Sequence, residues 1–304
     1  EFSLNAQIID SSSWKWSVSG NIGVNRNEIS DLGLLPADFG CLGERVGYYG
    51  NSLGDHFGVG HIFLAGEAPG LFYGYVTQGI VQKEDITENG IKYIKQDGSV
   101  GYYQTVNKTT PVAGDVKYVD RNGDGVVDDN DRDIIGNPNP DFTYGFQTKV
   151  SWKSLSLSAS FNGVQGRDIL NVGNRYNNTP GTKSNNVTRK AFQNMWTDEN
   201  PSNLYPKSTF VVQNMVMDRY VEDGSYLRCS DITLSYVLPA KWTNKIGIKN
   251  TSVYASVKNA FVITDYSGYD PEVNSFAFDG LRPGVDMNSY PTPRSFVFGL
   301  NLTF

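Results

Sequence analysis

Phe296-Val-Phe-Gly-Leu-Asn-Leu-Thr-Phe304 decides the fold. Phe296, Phe298, Leu300, Leu302 and Phe304 share one side of an extended chain, and Val297, Gly299, Asn301 and Thr303 share the other. Side chains alternate faces with period two in a strand, so this segment has one strongly apolar face. A single strand of this kind fits a half-buried strand of a soluble sandwich. It also fits the wall of an outer-membrane β-barrel, apolar toward lipid and polar toward the lumen. Recurrence of the pattern separates the two.

It recurs. Phe2, Leu4, Ala6 and Ile8 alternate with Ser3, Asn5 and Gln7, and after the turn Asp10–Ser13 a second strand sets Trp14, Trp16, Val18, Gly20, Ile22 and Val24 against Lys15, Ser17, Ser19, Asn21 and Asn25. Two tryptophans beside a tight turn suit an interfacial aromatic girdle. Further on, Phe142, Tyr144, Phe146, Thr148, Val150 and Trp152 oppose Thr143, Gly145, Gln147, Lys149 and Ser151. Lys153-Ser154 then turns the chain into Leu155, Leu157, Ala159 and Phe161 against Ser156, Ser158, Ser160 and Asn162. These arms have about 10 residues each, enough to cross a bilayer at a tilt of about 45°. A fifth strand spans Tyr226 to Val237, and a sixth sets Val253, Ala255, Val257, Phe261 and Ile263 against Tyr254, Ser256 and Lys258.

The connections sort by length. Short turns follow strands 1, 3 and 5, including a compact turn from Pro239 to Gly247, and long loops follow strands 2, 4 and 6. A barrel crossing a membrane has short turns at its periplasmic end and long loops outside. A soluble sandwich has no reason to sort its loops this way. The reading is therefore all-β: a transmembrane antiparallel barrel of which residues 1–304 supply about seven strands, with the C-terminus periplasmic. Bacterial barrels close with an even number of at least eight strands, so the wall is expected to be incomplete. Residue 1 opens in mid-strand without a methionine or cleavage pattern, and the chain reads as a piece of a longer polypeptide.

Composition agrees. Gly, Tyr and Phe are plentiful, Cys, His and Met are scarce, and the net charge is -6. The acidic balance leaves no basic stripe for nucleic acid. No apolar run reaches the length of a transmembrane helix. Cys41 and Cys229 read as isolated thiols.

Residues 28–140 form an extracellular insertion too long for a plain loop, with strands expected near Leu71 to Gln82 and Gly114 to Val119. A second long loop covers 169–225, with a short helix expected from Val187 to Trp196. Within the insertion, residues 120–131 fit an EF-hand-like loop. Asp120, Asn122 and Asp124 hold positions 1, 3 and 5, Gly125 makes the sharp turn, Val126 offers its carbonyl and Asp128 holds the water-bridged position. Asp131 stands at position 12, where a bidentate Glu is usual. A structural Ca2+ bound by Asp120, Asn122, Asp124, Val126 and Asp131 is expected, with an ion-free Asx-rich turn as the alternative. His56 and His61 read as solvated loop residues, and no nucleophile elbow is present. Trp196 to Pro201 and the loop tyrosines suit either ligand contacts or loop packing.

Several stretches together resemble SusC/RagA-type TonB-dependent outer-membrane transporters of Bacteroidetes. They are Gly114 to Gly125, Asp131 to Gly145, Trp196 to Pro201, Tyr220 to Arg228, Gly268 to Glu272 and Pro291 to Arg294. The resemblance implies a barrel of about 22 strands with a plugged lumen. It also implies import of oligosaccharides or peptides driven by TonB, a SusD-like surface lipoprotein as lid, and no enzymatic activity. Plug and TonB-contacting segment are not among these residues and belong to the missing N-terminal part. An outer-membrane enzyme and a calcium-braced surface binding protein are the rival readings.

Overall fold

The computed structural model describes residues 1–54, 57–179, 186–208, 215–243, 248 and 250–303. Seven long strands form one sheet: β1 (Phe2–Asp10), β2 (Trp14–Gly23), β3 (Phe142–Trp152), β4 (Leu155–Gln165), β5 (Tyr226–Val237), β6 (Asn250–Thr264) and β7 (Ser295–Thr303). They lie side by side in sequence order, and every neighbouring pair is antiparallel. This up-and-down wall matches the connection pattern read from the sequence. Its two outer strands, β1 and β7, each pair on one side only among the described residues, so the sheet is an open arc.

Register carries each chemical face across the wall without a break. One row runs Ala6, Val18, Thr148, Ala159, Ile232, Val257, Phe296, and the next runs Ile9, Trp16, Val150, Leu157, Leu234, Ala255, Phe298. The opposite face carries Gln7, Ser17, Lys149, Ser158, Thr233, Ser256, Val297 and then Asn5, Ser19, Gln147, Ser160, Asp231, Lys258, Ser295. A one-residue slip in any strand would invert its faces. The polar atom in the apolar row is satisfied: the Trp16 indole Nε1 donates to Thr148 Oγ1 at 3.0 Å. On the other side Tyr254 lies across Gly299, where a Cβ would meet its ring at 2.1 Å. Glycine is therefore required there.

Two details differ from simple alternation. A bulge between Gln7 and Ile9 places Ile9, not Ile8, opposite Trp16. A second irregularity falls between Cys229 and Asp231, near Asn259 at φ 52°. Period-two counting cannot see an inserted residue.

The short turns are tied together. Lys153 N donates to Ser13 O at 2.8 Å, and Val237 N donates to Ser154 O at 2.9 Å. Trp14 and Trp152 stack at 5.8 Å at this end, facing outward as a girdle requires. Of the compact turn, Ala240–Thr243 is helical, while 244–247 lie outside the described residues.

The long connections fold together at the opposite end. The insertion holds a four-stranded sheet of Gly47–Tyr49, His61–Leu64, Leu71–Gly74 and Asp133–Gly136, and a hairpin of Gly90–Ile94 with Val100–Tyr103. In the second loop, Asp168–Asn171 pairs antiparallel with Val221–Asp223 and parallel with Val285–Asp286 of the third. Helix α1 (Val172–Asn178) follows directly, and helix α2 (Arg189–Asn194) is capped by Thr188 and is shorter than the expected Val187 to Trp196. One core unites all three connections, with Phe72, Tyr118, Leu170, Trp196, Met217 and Val285 among its buried side chains.

Candidate functional site

Two regions offer chemistry: the polar face of the wall and the folded loops above it. On the wall, Asp231 and Lys258 face each other across β5 and β6 at 2.6 Å. Ser256 Oγ donates to Asp231 Oδ2 at 2.7 Å, and Thr233 Oγ1 lies 2.8 Å from Asp231 Oδ1. Around them the face is amide and hydroxyl: Asn5, Gln7, Ser17, Ser19 and Gln147 line a hollow together with Lys149. Such a surface hydrogen-bonds water or polar solutes in either direction.

Above the wall, the stretches that carry the family resemblance meet as structural ties. Arg228 on β5 is buried and pairs with Asp270, and its Nε lies 3.4 Å from Glu272 Oε2. Tyr226 Oη and Asn162 Nδ2 both donate to Glu272 Oε1, at 2.7 and 3.0 Å. The Tyr-Asp-Pro-Glu motif thus pins the third connection onto the wall. Glu222 does the same between loops, accepting from Asn171, Asn174 and Ser267. A buried ion pair left half-broken is strongly destabilising, so Arg228 and Asp270 tolerate little change.

Trp196 also resolves as structure. It is buried, its indole donates to Gln82 Oε1 at 3.1 Å, and its ring covers Gly114 at φ 87°, where a Cβ would meet it at 2.6 Å. Tyr73, Tyr75, Tyr93, Tyr103 and Tyr118 are likewise core, whereas Tyr269 and Tyr290 are exposed. The long loops' aromatic content therefore serves mainly packing.

The acidic loop is compact. Asp120 accepts from Gly123 N and Gly125 N at 2.6 and 2.8 Å. Asn122 and Asp124 accept from backbone two residues on, at Asp124 N and Val126 N, and Asp128 accepts from Asn130 N. Gly125 sits at φ 87°, as a sharp turn at that position requires. Asp131 is fully buried and accepts from the backbone of Arg121, Asn122 and Asp128 at 2.8, 3.2 and 2.8 Å. Burial pushes its carboxyl up to about 6 against those three donors, and the Asp120 charge adds to the rise. The loop is moored to the core by Tyr75 Oη on Asp129 and Tyr93 Oη on the Asp120 carbonyl, at 2.9 and 2.7 Å. The five expected ligand residues thus share one loop, with the carboxylates of Asp120 and Asp131 occupied by backbone donors. No group of three or more His, Cys, Asp or Glu side chains among the described residues is set to hold an ion.

His61 departs from expectation. It is fully buried, its Nε2 lies 2.8 Å from the Pro283 carbonyl, and it packs edge-on against Phe72. Burial pulls its pKa down to about 4; the Pro283 bond opposes this and Arg282 adds to it. The surrounding Gly-rich sequence suggested solvent, but the third connection, folding back over His61, covers it. His56 lies outside the described residues. Cys41 and Cys229 are free thiols; Cys41 Sγ contacts the Arg132 carbonyl at 2.7 Å.

No family model matches the chain. Curated relatives do. A TonB-dependent receptor P26 of Formosa agariphila is 30% identical over 313 residues, covering 100% of this chain and 28% of the relative. TonB-dependent receptor SusC of Bacteroides thetaiotaomicron is 31% identical over 313 residues, covering 100% of this chain and 26% of the relative. Among solved structures, the RagAB peptide transporter superposes with a TM-score of 0.67 at 25% identity, covering 99% of this chain and 28% of that one. The chain spans a little over a quarter of the length of these proteins. With the uninterrupted two-faced wall and the loop-pinning motifs, these likenesses make it a part of such a barrel. The chain belongs to the SusC/RagA-type family of TonB-dependent outer-membrane receptors.

Proposed function

We propose that the whole protein imports oligosaccharides or peptides across the outer membrane, with TonB supplying the energy and a SusD-like lipoprotein closing the extracellular mouth. In this reading the wall faces lipid with its apolar rows and the import path with its polar rows. The three long connections lie outside the cell, and the short turns and C-terminus lie in the periplasm. The polar rows that cross all seven strands without a break support it most. The RagAB neighbour, a peptide transporter, points to peptides, and the family resemblance implies oligosaccharides as the other class. The test is uptake of labelled oligosaccharide and peptide mixtures by host cells with and without the complete gene. Saturable uptake of one class, lost on collapse of the proton gradient, is expected; equal uptake in both strains would sink the reading.

A finer part of the proposal concerns the acidic loop. We assign it a structural calcium ion held by Asp120, Asn122, Asp124, the Val126 carbonyl and Asp131, on their spacing and the positive φ of Gly125. The backbone bonds to Asp131 show that this carboxylate also closes the loop by itself. Chelation is expected to raise hydrogen exchange across residues 120–131 and the contacting Tyr75 and Tyr93 segments. Unchanged exchange would leave the loop as an ion-free turn.

A further inference from the structure

A cavity of about 220 Å3 lies between α1, α2, the stretch 204–206 and the single turn Asp218–Tyr220. Lys190 and Arg219 line it with Asn174, Asn178, Tyr205 and Tyr220. Neither cation forms an ion pair with any described residue. The Arg219 Nη2 donates to the Leu204 carbonyl, while its Nη1 is buried and has no acceptor. A buried donor without an acceptor is costly.

The carboxylates on neighbouring elements are already engaged. Glu222 serves Asn171, Asn174 and Ser267, and Asp218 accepts from Thr77 N and Oγ1. The cavity therefore carries two cations that form no ion pair among the described residues, beside two aromatic rings and amide groups. A guanidinium takes a carboxylate by charge-assisted hydrogen bonds, and a lysine adds a second, mobile charge. The small volume admits one residue or one sugar ring.

We propose that this cavity is a subsite for a carboxylate of the imported ligand: a peptide C-terminus or the acid group of a uronic sugar. The assignment rests on the import reading above. It is tested by calorimetry on the complete transporter in detergent, with two matched pairs of probes: trialanine against its C-terminal amide, and trigalacturonate against galactotriose. In one pair the carboxylate form is expected to bind about tenfold tighter than its neutral partner, which names the source. Arg219→Gln with Lys190→Gln should abolish that preference. Lys190→Gln alone, at an exposed position, should reduce it about threefold and guards against a folding defect at Arg219. Absence of a carboxylate preference in both pairs, or a preference untouched by either variant, overturns the subsite. Cellular uptake measured in parallel separates the failures: normal uptake without the preference removes the subsite and leaves import standing.

Discussion

The wall and the loops above it are built to opposite rules. On the wall, Phe296, Phe298 and Leu300 are 66, 80 and 56% exposed, while in the loops Ile62, Leu64, Phe72 and Ile80 are completely covered. The same residue types therefore face outward in one region and inward in the other. In water the outward rows of the wall would be a large exposed apolar patch; in lipid they are correctly solvated. The loops, standing in water, must bury their own core, and do so by pooling side chains from three connections distant in sequence. The bilayer supplies for the wall what the shared core supplies for the loops.

That contrast can be broken from either side. The largest effect is expected in the loops. Phe72→Ala empties a fully covered site at the centre of the insertion. It should cost about 3–5 kcal/mol of local stability, read as lost exchange protection in Leu71–Gly74 and Asp133–Gly136 with the wall strands unaffected. On the wall, Phe298→Arg places a charge on the apolar rows and should cost about 2–4 kcal/mol if the site is near mid-bilayer. Heat-modifiable gel migration of the complete barrel reads this out. The neighbouring Val297→Arg, on the polar face, should assemble normally; equal damage from both would mean that the faces are misassigned.

The third prediction concerns pH. His61 is neutral and buried in the folded loops with its pKa near 4, against 6.5 for an exposed imidazole. The unfolded chain therefore takes up a proton first as pH falls. Loop stability is full above about pH 6.5 and declines through the window from 6.5 to about 4, by an amount on the order of 3 kcal/mol. Protection factors of Ile62 and Leu64 should follow that profile, and His61→Gln should flatten it. A profile unchanged by the substitution would assign the acid sensitivity elsewhere. The smallest effect is local. Gly125→Ala forces a side chain to φ 87° and toward Gln104 Oε1, 2.4 Å from the new Cβ. It should cost about 2 kcal/mol in the acidic loop, measured by exchange across 120–131.

Much of the wall was legible because a strand that spans lipid obeys one local rule, alternation, over about 10 residues. Trp14 to Ile22 and Phe142 to Asn162 could be assigned face by face, and the sorted connections fixed the meander. Bulges such as that at Ile8 were invisible, since an extra residue leaves no compositional mark. The site was harder. Asp120 and Gly125 announced a tight turn through their spacing, but the charges around the cavity did not. Lys190 and Arg219 lie 29 residues apart in the second connection and are ordinary residues in ordinary contexts.

The sequence alone determined that this chain is a barrel wall with long connections on one side, because burial in lipid and exposure to a polar interior alternate along each strand. Only the tertiary structure decided that His61 and Trp196 are core, that Arg228 clamps Asp270 and Glu272, and that three connections share one interior. Those facts depend on segments from 42 to 222 residues apart arriving at the same place. Local patterning records which way a residue faces, but not what comes to cover it.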